Sequence, residues 1–121
     1  KIFVRDGFDA PGAKKVVELY DRYLKKMEDA LGKSDWLAGN QFTFADIAMT
    51  PYVVRLDMMS MQPMWEAERL PGVTDWLKRI KERPTFAPAF LDWMPDHLTD
   101  DLKNNGAKSW PEVAEILEIA A

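Results

Sequence analysis

The sequence predicts an all-α fold, an orthogonal or up-down bundle of about five or six helices around a buried central helix over residues 43–56. No segment alternates apolar and polar residues over a useful length, as a half-buried strand does. Several stretches instead repeat apolar residues at spacings of three and four. One stretch, residues 47–54, carries no charge and is apolar on every side. We therefore expect a helix that is packed on all faces at the centre of the bundle.

The first long helix is predicted from about Ala13 to Leu31. Pro11 and Gly12 mark its start, and Gly32 supplies a stop signal at its end. Its apolar stripe has the spacing of an amphipathic helix and consists of Val16, Tyr20, Tyr23, Leu24, Met27 and Leu31.

The central helix begins at a predicted capping box. The Thr43 hydroxyl accepts a first-turn N–H, and the Asp46 carboxylate accepts the Thr43 backbone N–H. Phe42 and Ile47 are placed for a hydrophobic staple, and Pro51 predicts a bend because it removes one helical hydrogen bond. A general acid or base role for Asp46 is the alternative, but a carboxylate bound at a helix N-terminus is held ionised and occupied. We therefore interpret Thr43 and Asp46 as structural residues.

The next segments carry weaker signals. The methionine-rich stretch 57–70 predicts a short helix around Met64–Arg69, because Pro63 interrupts any helix that continues from the central one. A helix opening at Pro71 or Gly72 and ending at Pro84 has four apolar residues at helical spacing, Val73, Trp76, Leu77 and Ile80. Thr85 is placed to cap a short helix that Pro95 closes.

The last helix is predicted to start at a second capping box, formed by Ser109 and Glu112. Residues 96–105 are polar and predict one helical turn at most, and the sequence Asn104-Asn105-Gly106 is a strong stop signal. The apolar face of this helix consists of Val113, Ile116, Leu117 and Ala120.

Two blocks of the sequence resemble the C-terminal domain of glutathione transferases. Residues 36–48 read WLAGNQFTFADIA and are followed by Pro51, and residues 70–86 read LPGVTDWLKRIKERPTF. In that family the place of Ile2-Phe3-Val4 holds the end of a preceding helix. The resemblance implies a single helical domain over residues 1–121, which is part of a two-domain protein. The glutathione site and the activating Ser, Tyr or Cys would lie in an N-terminal thioredoxin-like domain, for which this chain has no βαβ pattern.

The resemblance also implies the function of this chain. Such a domain contributes a wall of the pocket for a hydrophobic electrophile and part of a homodimer contact. Glutathione would be the co-substrate of the parent enzyme, and this chain would hold no cofactor and no catalytic residue. A non-catalytic interaction module is the alternative, because similar domains occur attached to translation factors and aminoacyl-tRNA synthetases. Exposed helical faces would then bind partner proteins.

The candidate pocket residues are Tyr20, Met58, Trp65 and Trp110. Methionine side chains adapt to varied apolar ligands, so the cluster from Met58 to Trp65 is a candidate lining, although such residues more often fill a core. Tyr20 faces inward on the first helix, where core packing is the alternative. Trp110 either covers the pocket mouth or only anchors the C-terminal segment.

Composition excludes several other functions. The net charge of −4 and the pI near 5.0 argue against nucleic-acid binding, which requires basic residues to neutralise phosphates. The chain has no cysteine, so disulfides and a cysteine nucleophile are excluded. His97 is the one histidine and lies among acidic residues, which we interpret as a solvated loop in preference to a metal site. The absence of a signal peptide or membrane anchor favours a cytoplasmic location without membrane partners.

Overall fold

The computed structural model describes residues 5–120, and most of them are helical. The longer helices are α1 (Ala13–Leu31), α2 (Phe44–Met58), α3 (Pro71–Lys81) and α4 (Asp96–Leu117). Short 3₁₀ turns at Gly7–Asp9 and Gln62–Met64 and a π-helical turn at Ala87–Leu91 complete the element order. No β-strand occurs in this part of the chain, so the all-α prediction is confirmed. The segment Ile2-Phe3-Val4 lies outside the described residues.

The core lies where α1, α2 and α3 meet. α1 packs against both α3 and α4, and α2 also contacts α3 and α4. The predicted bounds of α1 are those observed, and its Leu24 and Met27 are buried in this core. The predicted stripe of α3 is buried over its full length and consists of Val73, Trp76, Leu77 and Ile80. Regular periodicity therefore identified both helices, but the predicted buried stripe of α1 is only partly correct, because its Val16, Tyr20 and Tyr23 are exposed.

The expectation that α2 is packed on every face is wrong. One face is buried and carries Asp46, Thr50, Val53 and Val54. The opposite face is open: Phe44, Ile47 and Tyr52 are 79%, 50% and 57% exposed. A helix that is apolar all round does not reveal which side its neighbours cover. Among residues 5–120, α2 is contacted by α3 and α4, and this apolar face stays exposed.

Helix α4 corrects the prediction for the C-terminal part. The helix runs from Asp96 to Leu117 without a break at Asn104-Asn105-Gly106. Gly106 is buried, and a Cβ atom built on it would lie 1.8 Å from the carbonyl oxygen of Met59. This glycine therefore permits close packing of α4 on the end of α2, where the sequence suggested a stop.

The predicted second capping box is also wrong. Ser109 and Glu112 lie inside α4, which begins at Asp96. There is therefore no helix start at Ser109 for these side chains to cap. The Ser109 hydroxyl donates to the carbonyl oxygen of Asn105 at 3.0 Å, which is a bond that serine makes in mid-helix.

Two short helices were predicted inaccurately. The expected helix at Met64–Arg69 is replaced by the turn at Gln62–Met64 and a further turn, in which Ala67 and Glu68 have φ angles of 53° and 66°. Two consecutive residues with left-handed backbone angles are incompatible with an α-helix. The expected helix after Thr85 is only the π-helical turn Ala87–Leu91.

A carboxylate from α1 caps the start of α3. Glu28 accepts the backbone N–H groups of Gly72 at 2.9 Å and Val73 at 2.8 Å. Leu70 stands at the N-cap position and makes no side-chain cap, so Glu28 satisfies two N–H groups that the helix itself leaves open. This contact fixes α3 against α1. It joins residues more than forty positions apart, which local sequence patterns do not reveal.

Candidate functional site

Asp46 connects three parts of the chain through its side chain. Its carboxylate accepts the Leu37 N–H at 3.1 Å, the Thr43 N–H at 3.0 Å and the indole N–H of Trp76 at 2.9 Å. The Thr43 hydroxyl accepts the Ala45 N–H at 3.4 Å, which completes the cap of α2. Asp46 is 0% exposed. A fully buried carboxylate with these donors has no access to a substrate, so it positions the loop, α2 and α3.

The principal cavity lies beside the second half of α2 and has a volume of about 650 Å³. α1 and α4 contribute one residue each, Tyr20 and Leu102, and the segment after α3 contributes Phe90 and Met94. The remaining lining residues come from α2 and its end: Pro51, Tyr52, Val54, Arg55, Leu56, Met58 and Met59. The wall is therefore mostly apolar, with two tyrosines and one arginine.

A smaller cavity of about 360 Å³ adjoins the first. It lies between α1 and α2 and shares Tyr20, Tyr52 and Leu56 with the principal cavity. Its other lining residues are Leu19, Tyr23, Leu24, Met49 and Val53. The two cavities together form an apolar cleft, which we call the α1–α2 cleft.

The structure divides the predicted pocket residues into two groups. Tyr20 and Met58 line the principal cavity. Trp65 is 1% exposed and belongs to the core, and Trp110 packs against that core while partly buried. The methionine-rich segment is divided in the same way, because Met59 lines the cavity whereas Met61 and Met64 are buried.

Sequence reasoning missed several lining residues. Phe90, Met94 and Leu102 reach the cavity from segments whose structure was predicted incorrectly. The sequence could have indicated Arg55, because this residue is the first charge after the uncharged stretch 47–54. A charge at the end of an apolar helix marks a position where that helix reaches solvent or a polar ligand.

A buried ion pair holds the segment after α2 against α1. Asp21 is 5% exposed and is bonded by Arg69 at 2.7 Å and by Lys25 at 2.8 Å. Burial by itself would raise the pKa of Asp21, but the hydrogen bonds from Arg69 and Lys25 outweigh burial and lower the pKa below 3.8. Arg69 also donates to the carbonyl oxygen of Met64, so this pair anchors the turn that follows the cavity.

The variant Asp21→Asn is expected to lose about 2 kcal/mol of stability at neutral pH, because charge-assisted hydrogen bonds are lost. A carboxyl whose folded pKa is lowered stabilises the fold above its unfolded pKa, and this contribution disappears as pH falls through the folded pKa. The difference in free energy of unfolding between Asp21→Asn and the unmodified protein should therefore narrow as the pH falls below about 4, as measured by urea unfolding.

Asp29→Asn provides the matched control for this prediction, because Asp29 is an exposed acid on the same helix. It should change stability by less than about 0.5 kcal/mol. An Asp21→Asn difference that stays constant over the whole pH range would contradict the assignment.

Two further observations concern other kinds of site. His97 is exposed, but it lies in the first turn of α4 and not in the predicted loop. The described part of the chain contains no group of three or more His, Cys, Asp or Glu side chains that is arranged to hold a metal ion. Within residues 5–120, no helix combines the length and the apolar character needed to cross a bilayer.

Comparisons with known proteins give one consistent family. The model for "Glutathione S-transferase, C-terminal domain" matches residues 10–79. Two glutathione S-transferase domain-containing proteins of Dictyostelium discoideum are each 34% identical over 64 residues, which cover 51% of this chain and 24% of theirs. FtsZ-localized protein A of Caulobacter vibrioides is 29% identical over 73 residues, which cover 60% of this chain and 31% of that protein. These matches span less than a third of each relative's length, and no solved structure matches significantly.

Proposed function

The chain belongs to the family of glutathione S-transferase C-terminal domains, and we propose that it is the substrate-side domain of a glutathione transferase, which is the domain that lines the electrophile pocket. In this proposal the principal cavity of the α1–α2 cleft holds a hydrophobic electrophile. Glutathione is the co-substrate and binds to a thioredoxin-like N-terminal domain, whose activating residue stabilises the thiolate. This chain then positions the electrophile and excludes water from it, and it supplies no acid, base or nucleophile.

The observation that supports this proposal is the principal cavity. A volume of about 650 Å³ lies within the range of small-molecule sites, and its wall is mostly apolar with a few polar groups. Such a wall binds an apolar electrophile through burial of its surface. Met58, Met59 and Met94 give the wall side chains that adapt to ligands of different shape.

The open apolar surface supports the proposed partners. Val16, Leu19 and Tyr23 on α1 are 42%, 39% and 48% exposed, and Phe44 and Ile47 are exposed on α2. Several exposed large apolar side chains on two helices are typical of contacts with other protein. We propose that the thioredoxin-like domain and a second copy in a homodimer cover it. The cytoplasmic location stays a prediction from the sequence.

A second candidate function is a non-catalytic interaction module. Phe44 and Trp93 are 79% and 81% exposed, and large exposed aromatic side chains are typical of protein-binding surfaces. The name of FtsZ-localized protein A indicates a protein that localises with FtsZ, so a relative of this domain occurs in a protein named for its position in the cell.

An assay of the protein that contains this chain and its upstream domain tests the proposal. We expect that it conjugates glutathione to chlorodinitrobenzene. Met94→Trp should raise the KM for chlorodinitrobenzene about tenfold, because a larger side chain fills the cavity. The KM for glutathione should not change, since glutathione binds elsewhere.

Leu91→Trp is the matched control, because Leu91 lies in the same segment between α3 and α4 as Met94 but outside the lining of the principal cavity. It should leave both KM values unchanged. A protein that conjugates no electrophile at all would favour the interaction module. Equal effects of Met94→Trp and Leu91→Trp on the KM for chlorodinitrobenzene would contradict the proposal that the electrophile binds in the principal cavity.

A further inference from the structure

We propose that Arg55 makes the principal cavity selective for apolar ligands that carry an anionic group, such as a carboxylate. This inference rests on the proposed function, because it assigns the ligand class of the same cavity. It adds a specificity-determining residue that the sequence analysis did not identify.

The position of Arg55 is the first argument. Arg55 lies in the last turn of α2 and lines the principal cavity, and it is the one charged side chain among the residues of that lining. The remaining lining residues are apolar apart from Tyr20 and Tyr52, whose hydroxyl groups are able to donate hydrogen bonds. The wall therefore offers donors and positive charge to a ligand but no carboxylate.

The lack of an internal partner is the second argument. Three cations near the core are paired, Arg69 with Asp21, Arg79 with Asp75 and Lys81 with Asp57, whereas Arg83 packs over the ring of Phe42. No acidic side chain forms an ion pair with Arg55 within residues 5–120. Asp57 is two residues further along the chain, but Lys81 holds its carboxylate at 2.6 Å. The charge of Arg55 is thus available at the cavity.

The chemistry of the guanidinium group defines the ligand. Arginine stays protonated at any physiological pH and presents a planar set of donors that fits a carboxylate with two parallel bonds. The chain as a whole carries a net charge of −4 and repels anions at long range, so Arg55 supplies a local attraction. An amphiphile with an apolar tail and a carboxylate head satisfies both the apolar wall and this charge.

Three ligands with the same tail test the proposal: dodecanoate and dodecylammonium, each below its micelle-forming concentration, and dodecanol below its solubility limit. Isothermal titration should show that dodecanoate binds this protein about fivefold more tightly than dodecanol, as a partly exposed ion pair would allow. Dodecylammonium should bind more weakly than dodecanol. In Arg55→Gln the preference for dodecanoate should disappear, whereas the affinity for dodecanol should stay the same.

Arg22→Gln is the matched control, since Arg22 is an exposed arginine on α1 outside the cavity lining. It should retain the full preference for dodecanoate. A preference that persists in Arg55→Gln, or that is absent from the unmodified protein, would overturn the inference while leaving the cavity as an apolar site. Failure of all three ligands to bind would overturn the proposed function of the cavity together with this inference.

Discussion

Replacing Asp46 with alanine is expected to lower the free energy of unfolding by about 3 kcal/mol, because one change leaves several buried donors without an acceptor. The side chain accepts the N–H groups of Leu37, Thr43 and Trp76, and it is completely buried. Each orphaned donor has lost water as well as its partner, so this loss should exceed that of an ordinary helix cap, which is about 1 kcal/mol. Urea unfolding followed by circular dichroism measures the effect.

Two related variants separate the contributions at this site. Asp46→Asn keeps the volume and one acceptor oxygen, so its loss of stability should be smaller than that of Asp46→Ala. Asp75→Ala removes an exposed acid beside Trp76 and should cost less than about 1 kcal/mol, because its ion pair with Arg79 lies at the surface. Equal stability of Asp46→Ala and the unmodified protein would show that these bonds do not hold α2 and α3 together.

The variant Gly106→Ala is expected to destabilise the protein by about 3 kcal/mol, because overpacking against a backbone cannot relax through a side chain. The new Cβ would lie 1.8 Å from the Met59 carbonyl oxygen, so α4 would have to move away from the end of α2. The Ser60 hydroxyl, which donates to the Lys103 carbonyl oxygen at 3.1 Å, would lose its partner in this movement. Thermal unfolding measures the change.

The expected stability change of Gly106→Ala has the opposite sign to that of a glycine-to-alanine change at an exposed helix position. At an ordinary exposed position in a helix, glycine to alanine stabilises by about 1 kcal/mol through helix propensity. Asn104→Ala is the control, because Asn104 is exposed on the same helix and its replacement also raises the propensity. We expect this control to be neutral or stabilising. A stabilised Gly106→Ala variant would mean that α4 does not approach α2 at this point.

The sequence predicted those helices whose apolar residues repeat on one side only. α1 and α3 combine such a stripe with charged residues on the other side, so their helical period follows from the pattern, but only in α3 is the whole predicted stripe buried. α2 lacks this contrast, and its open face became visible only in the structure. The position of a buried face depends on neighbours, which a uniform apolar pattern does not specify.

The candidate site was harder to predict because its residues come from distant segments. Tyr20 and Met58 were predicted from local patterns, but Phe90 and Leu102 meet them only through the packing of α4 and the preceding turn. That packing depends on Gly106, which the sequence indicated as a stop signal. A glycine that permits close approach and a glycine that ends a helix have the same local sequence, and only a contact distinguishes them.

The proposed binding of an apolar electrophile in the principal cavity can be followed through the methyl groups of the seven methionines. Met58, Met59 and Met94 line that cavity, whereas Met27 and Met64 are buried in the core. The experiment is an NMR titration, in which the resonances of isotope-labelled methionine methyl groups are followed as dinitrobenzene, an unreactive analogue of the electrophile, is added. The resonances of the three lining methionines are expected to shift, and those of the two core methionines are expected to stay unchanged. Shifts confined to other methionines, or no shifts at saturating ligand, would contradict it.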